Sequence, residues 1–276
     1  MIVQRQYKSD IEEIISKRCH NGWDYWTTPD KRLGKGGVFS TLSSALLLRE
    51  LGVESSDDLL LDVAELIFSC LREDGRFKLS PKGAIYPCHT IHALNVLCNL
   101  GYAGDERLEK SFNYLMDIQY GDGGWRCKKF SYGKGPETEY SNPGPTLTAL
   151  NAFRFTRYLN RNLDLDQAVE FLLHHWTVRM PIGPCHYGIG TLFMQVEYPF
   201  ETYNLFYYVY VLSFYDRAKE DTRFLEALSI LESKMRDGKI VVERVNPKLA
   251  KLSFCKKGET SDLGTRHYLE IKRNLC

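Results

Sequence analysis

Gln119-Tyr120-Gly121-Asp122-Gly123-Gly124-Trp125 ends one helical pattern, makes a glycine turn and sets a Trp on that turn. It then leads into a second helical pattern that extends to about residue 152. Upstream, residues 105–119 carry Leu108, Phe112, Leu115 and Met116 in helical register. Downstream, a loop reaches Pro143 and Pro145, and those prolines start a helix expected to run to about Leu159.

Weaker copies of this unit recur along the chain. A helix from Asp10 to Cys19 stops at Asn21-Gly22-Trp23, and Val38 to Leu51 reads as an apolar helix ended by Gly52. Ser55 or Ser56 is expected to cap a helix over 57–72, which stops at Asp74-Gly75-Arg76-Phe77. Pro87 then opens a helix to Asn99, with Gly101 beyond it. The fourth unit runs from Asp164 to Trp176, stops between Pro181 and Gly190, and resumes as a helix from about Glu201 to Ala218. The fifth starts at Asp221, stops at Asp237-Gly238-Lys239-Ile240 and ends in a helix over 262–274. The stops centre on Gly22, Gly75, Gly123, Gly183 and Gly238, separated by 53, 48, 60 and 55 residues. A period of about 50 residues holding two helices is a helix-hairpin repeat.

The two helices of each unit differ in kind. The first is amphipathic, with Glu12-Glu13 or Glu109-Lys110 on its polar side. The second is apolar nearly all round, as in Ala45-Leu46-Leu47-Leu48 or the run from Tyr207 to Tyr215. A helix without a polar face must be enclosed. The expected fold is therefore all-α: an α/α toroid, or barrel, of about five to six helix hairpins in two concentric layers, as one domain over 1–276. An open solenoid is the alternative, but its two layers would be more alike.

Composition narrows the function classes. With 36 basic and 35 acidic residues the net charge is +1, so no global pull toward nucleic acid or anionic membrane exists. No apolar run approaches the roughly 18 residues a membrane span needs. The N-terminus lacks the apolar centre of a signal peptide, so the cytoplasm is the expected location. Peripheral membrane contact and oligomeric state stay open. The eight Cys include no Cys-x-x-Cys pair and are expected to be mostly reduced and buried.

The run from Gln119 to Trp125 resembles the Gln-Trp repeat of squalene and oxidosqualene cyclases. Ser131-Tyr132 then precedes a Pro/Gly stretch, and Ser141-Asn142-Pro143-Gly144-Pro145-Thr146-Leu147-Thr148-Ala149-Leu150 looks like the start of a cyclase inner helix. The resemblance implies the toroid of the terpenoid-cyclase and protein-prenyltransferase superfamily, which usually has six helix pairs where five are visible here. Departures matter too. The Asp-x-Asp-Asp motif that protonates an alkene in triterpene cyclases is missing, as is the Asp-x-Cys zinc motif of prenyltransferase β-subunits. Arg126-Cys127-Lys128-Lys129 followed by Glu137-Thr138-Glu139-Tyr140 is the nearest echo of the latter's diphosphate and zinc run.

In such a fold the N-termini of the inner helices, with their free N–H groups, face the cavity mouth. Glu201, His89 and His267 are the acid–base candidates there, Glu201 because a carboxylate among Tyr198, Phe200 and Tyr203 would be desolvated. Tyr86, His92, Tyr140, Tyr187, Tyr203, Arg126 and Lys129 are the candidate substrate contacts. Cys88, His89, Cys185 and His186 supply the ligand types zinc prefers, and Gly183 to Gly188 is similar to the Cys-His-Gly segment of lanthionine cyclases. Zinc is thus the one cofactor the sequence leaves open. Plainer readings stand beside each: Glu201 as a first-turn carboxylate, the aromatic run 206–215 as core, the Cys-His pairs as packing. The expected function is that of a prenyltransferase or isoprenoid cyclase acting in a central apolar cavity. The alternatives are a non-catalytic module binding an isoprenoid, lipid or peptide, and a zinc enzyme.

Overall fold

The computed structural model describes residues 6–127 and 134–276. Roughly half of them are helical, and the described strands are two of two residues each, so the all-α class holds. Eleven α-helices are described. They are α1 (Lys8–Ser16), α2 (Thr41–Glu50), α3 (Asp58–Phe68), α4 (Pro87–Asn99), α5 (Glu109–Asp117), α6 (Pro143–Phe153), α7 (Leu163–Val178), α8 (Leu205–Leu212), α9 (Asp216–Lys219), α10 (Thr222–Ser233) and α11 (Asp262–Asn274). None is long and apolar enough to cross a membrane.

Both helices of each of the five expected units are present in chain order: α1 and α2, α3 and α4, α5 and α6, α7 and α8, and α10 and α11. Each pair is joined through a glycine at positive φ, at Gly22, Gly75, Gly123, Gly183 and Gly238. Gly123 shows why no other residue serves. Its φ is +89°, and a Cβ there would lie 2.4 Å from the Gln167 carbonyl oxygen in α7. Gly75 meets the Lys110 carbonyl of α5 in the same way, at 2.5 Å. The turn of one pair is thus seated against the main chain of the next pair's first helix.

The turns carry a second repeated device. The N–H two residues past the glycine donates to a Thr hydroxyl on the fourth residue of the following helix. Phe77 donates to Thr90 at 3.0 Å, Trp125 to Thr146 at 3.0 Å and Ile240 to Thr265 at 3.1 Å. Indole N–H groups tie the turns back to the first helices, Trp26 to the Ile14 carbonyl at 3.1 Å and Trp125 to Leu115 at 2.8 Å. Gln119 Nε2 donates to the Gly123 carbonyl at 2.6 Å and to that of Asp164 at 2.7 Å, so the Gln-Trp turn is closed at both ends.

The chain divides into two compact units. The first is Met1–Tyr114 with Lys251–Phe254, and the second is Leu115–Ala250 with Cys255–Cys276. In the first, α2 packs on α4, with α1 and α3 against α2. The segment 251–254 is held by the buried Asp10 carboxylate, which accepts from the Ser253 N–H at 2.8 Å and the Phe254 N–H at 3.1 Å. In the second, α6 packs on α8 and α8 on α11, with α7 against α6 and α10 against α8. The expected contrast between helices holds for α6 and α8, every residue of which is buried. It fails in the fifth unit, where the second helix α11 buries only Leu263, Gly264 and Ile271 and the first helix α10 buries Phe224, Ala227, Leu228 and Leu231.

Four boundaries in three helices differ from expectation for local reasons. Asp57, not Ser55 or Ser56, caps α3, accepting from the Leu59 N–H at 3.0 Å. The helix expected over 201–218 starts at Leu205, because Asn204 caps it through the Tyr207 N–H at 2.9 Å. It breaks after Leu212, where the Ser213 hydroxyl turns back to the Tyr210 carbonyl at 2.7 Å. The helix expected to reach Leu159 stops at Phe153, with Arg154 as its C-cap.

Candidate functional site

In the second unit, His267 on α11 is half-buried among the rings of Tyr210, Phe200 and Phe206, with centroids 4.7, 6.4 and 6.4 Å away. One turn on, Glu270 Oε2 lies 3.8 Å from His267 Nδ1 and accepts from the Tyr210 hydroxyl at 2.7 Å. The imidazole beside it, the Tyr210 hydroxyl and the Arg154 charge hold the Glu270 carboxyl down at about 2, against the upward push of burial. Glu270 therefore stays ionised.

Arg154 completes the group. Its guanidinium lies over the rings of Phe155, Tyr210 and Phe214, at 4.2, 5.1 and 4.2 Å, and its buried Nε has no hydrogen-bond partner among the described residues. The Tyr207 hydroxyl, one turn before Tyr210, is buried near Thr148. That Thr donates to the Gly144 carbonyl at 3.1 Å, and Tyr207 makes no hydrogen bond of normal geometry. Burial pushes its phenol far up, so it stays neutral. By contrast Tyr208 and Tyr215 are core residues, donating to the carbonyls of Leu172 at 3.1 Å and Leu150 at 2.6 Å. The aromatic run on α8 is thus part core, part wall of the His267 group.

The other expected residues fall in several places. Glu201 precedes α8 and is exposed, so the desolvation expected of it is not found. Tyr203 is half-buried, and its hydroxyl lies 2.7 Å from His175 Nδ1. His175 Nε2 faces the Met180 carbonyl at 3.0 Å, which can only accept. Nε2 therefore carries the proton, and Tyr203 donates to Nδ1. Tyr187 packs edge-on to Tyr203 at 5.4 Å, in a space kept open by Gly144, where a Cβ would lie 2.5 Å from its ring. Arg126 is taken up within its own loop by Glu139 at 3.0 Å, the Thr138 carbonyl at 2.8 Å and the Tyr120 hydroxyl at 3.1 Å. Tyr140 is exposed and lines a surface recess of about 270 Å³ with Asp122, Glu170, Phe171 and His174. Lys129, with Lys128, Ser131 and Tyr132, lies outside the described residues.

Tyr86, Cys88, His89 and His92 belong to the first unit, around the start of α4. Tyr86 and His89 meet edge to face at 5.3 Å. His92 keeps accessible surface, yet the protein around it and the nearby His89 push its imidazole down to about 4. Cys185 and His186 belong to the second unit; His186 Nε2 lies 3.7 Å from Glu137 Oε1. Among the described residues, no three His, Cys, Asp or Glu side chains are grouped to hold a metal ion.

Of the residues that complete the His267 group, Glu270 was legible as an acidic residue three positions on, sharing a helix face with it. Arg154 left no signal, because its place depends on where α6 ends. Compared with protein-family models and with curated proteins, the chain matches none.

Proposed function

We propose that this chain is an α/α toroid of the terpenoid-cyclase and prenyltransferase kind that acts on an allylic isoprenyl diphosphate. The observation that carries the reading is the His267–Glu270–Tyr210 group, walled by Phe200 and Phe206 with Arg154 beside it. The closed Gln-Trp turn and the fully buried second helices α6 and α8 support the fold part.

The chemistry of the group chooses between two ways of making a carbocation. Protonating an alkene needs an acid that still holds its proton at neutral pH, and Glu270, ionised down to about pH 2, holds none. Departure of diphosphate from an allylic carbon needs no such acid. In this reading Arg154 meets the departing anion, aromatic rings stabilise the cation, and His267 takes the proton that ends the reaction. The test is incubation of the purified protein with isoprenyl diphosphates of several chain lengths, following pyrophosphate release and hydrocarbon products. Turnover lost in His267→Ala supports it; neither binding nor turnover removes it.

A second reading is a non-catalytic isoprenoid-binding module. The internal neutralisation of Arg126 by Glu139 favours it, since that cation is already occupied. Binding without turnover, unchanged in His267→Ala, would select it.

A further inference from the structure

Two loops of the first unit carry positive charge that no acidic partner takes up. Lys31, Arg32 and Lys35 lie in the loop before α2, and Lys78 and Lys82 in the loop before α4. The Leu33 N–H donates to the Leu79 carbonyl at 3.1 Å, and both leucines are buried, so the two loops are pinned side by side. Lys31, Lys35 and Lys82 are exposed and Lys78 is half-buried. Arg32 is held by Asp30, Nε to Oδ2 at 2.6 Å, and the carboxylate of Asp74, four residues before Lys78, is held by Arg76 at 2.6 Å. Among the described residues, none of the four lysine ammonium groups is paired with a carboxylate. Like charges left together repel one another, so the cluster does nothing for folding. The loop before α2 also carries Trp23, 57% exposed, whereas the other three tryptophans, Trp26, Trp125 and Trp176, are buried. Gly22 beside it lies against the Pro29 ring, where a Cβ would be 3.0 Å away, and Asn21 Nδ2 donates to the Phe39 carbonyl at 2.7 Å. Those contacts seat the Trp23 turn on the loop that bears Lys31 and Lys35.

We propose that these two loops dock the protein on an anionic lipid membrane, the lysines meeting the headgroup charge and the Trp23 ring entering the interface. An anionic lipid surface attracts clusters of roughly four or more basic residues, and each lysine near it tightens binding about fivefold. Tryptophan favours the headgroup level, where its ring meets the apolar boundary and its N–H stays wet. A nucleic-acid backbone would instead favour guanidinium groups, whose fork matches phosphate, and the one arginine of the two loops' charged cluster is already held by Asp30. The net charge of the chain is only +1, so the attraction belongs to this patch and not to the molecule as a whole. The patch lies in the first unit and the His267 group in the second, and the docking does not rest on the isoprenoid reading.

The experiment mixes the intact protein with vesicles of phosphatidylcholine, either pure or with one-third phosphatidylserine, and follows co-sedimentation and tryptophan emission. Binding is expected on the phosphatidylserine vesicles alone and should weaken with added salt. It should bring a blue shift that comes from Trp23, because the other three indoles are already buried. Replacing Lys31 and Lys35 together by Gln should weaken binding about twenty-five-fold, and replacing Lys78 and Lys82 by a similar factor. Trp23→Ala should remove the blue shift and keep the salt dependence. Thermal melts confirm that each variant compared is folded. No binding to the phosphatidylserine vesicles, equal binding to both kinds of vesicle, or unchanged binding in both lysine pairs would each overturn the proposal. Tighter binding to duplex DNA than to the vesicles would assign the patch to nucleic acid and overturn it as well.

Discussion

The Tyr210 hydroxyl donates to Glu270 Oε2 at 2.7 Å, joining helices whose residues are 60 positions apart. The bond fixes a carboxylate beside His267 and so gives one imidazole in the chain a defined electrostatic setting. It also makes Glu270 a reporter of the folded state. Its folded value lies below its ordinary one, so its stabilisation is present above pH 4.5 and is lost as pH falls toward about 2. Solvent screening at a side chain about one-third exposed reduces that term to about 1 kcal/mol. Urea unfolding across this range should show wild type losing its margin over Glu270→Gln, and Tyr210→Phe should flatten the wild-type slope.

His175 titrates the other way. Its side chain is fully buried, and burial pushes the imidazole from 6.5 down to about 4. The neutral ring is the native form, so its stabilisation is complete above pH 6.5 and is lost as pH falls through about 4. The full effect is about 3 kcal/mol. Stability measured between pH 7 and 4 should fall more steeply in wild type than in His175→Asn, whose side chain does not titrate. Equal slopes would show that His175 is protonated in the native state.

Thr146 tests the repeated device of the turns. Thr146→Val preserves shape but leaves the buried Trp125 N–H without its acceptor, at a cost of about 1–3 kcal/mol. Thr90→Val should cost a similar amount through Phe77. Thermal melts of the two variants provide the check, and an unchanged midpoint in both would mean that water replaces the hydroxyl.

Asp10 makes an equally local prediction. Asp10→Ala removes the acceptor for the N–H groups of Ser253 and Phe254. Each lost bond to a carboxylate is worth about 1.5–3 kcal/mol. Hydrogen exchange should show residues 251–254 losing protection in this variant, while the turn at Gly123 keeps its own.

Much of this architecture was legible because its causes are local. Pro87 and Asn99 bound α4 as expected, and the five stop glycines all take positive φ, four of them after Asp or Asn and Gly183 after Ile182. The break after Leu212 was less legible, since Ser213 reads equally well as a helical residue until its hydroxyl finds the Tyr210 carbonyl.

The candidate site was legible only in part. His267 was named from its place on the last helix of the repeat, expected to line the cavity, and Glu270 is one turn away on the same face. Arg154 and Tyr210 acquired a role only when α6 and α8 packed, because cation–ring contacts depend on distances that spacing along the chain does not encode. Glu201 failed as a buried carboxylate for the converse reason: aromatic neighbours in sequence do not cover a residue that sits in an exposed turn before its helix.

By itself, then, the amino-acid sequence determined where the helices fall, their period and the enclosure of α6 and α8. Helical periodicity and the backbone freedom of glycine act within a few residues, so they can be read in order. Only the tertiary structure decided that Asp10 meets Ser253 and that His267 sits in a ring-lined group with Glu270. Those contacts are chosen by how buried helices stack and which polar groups must be satisfied once water has left, and no local pattern carries that information.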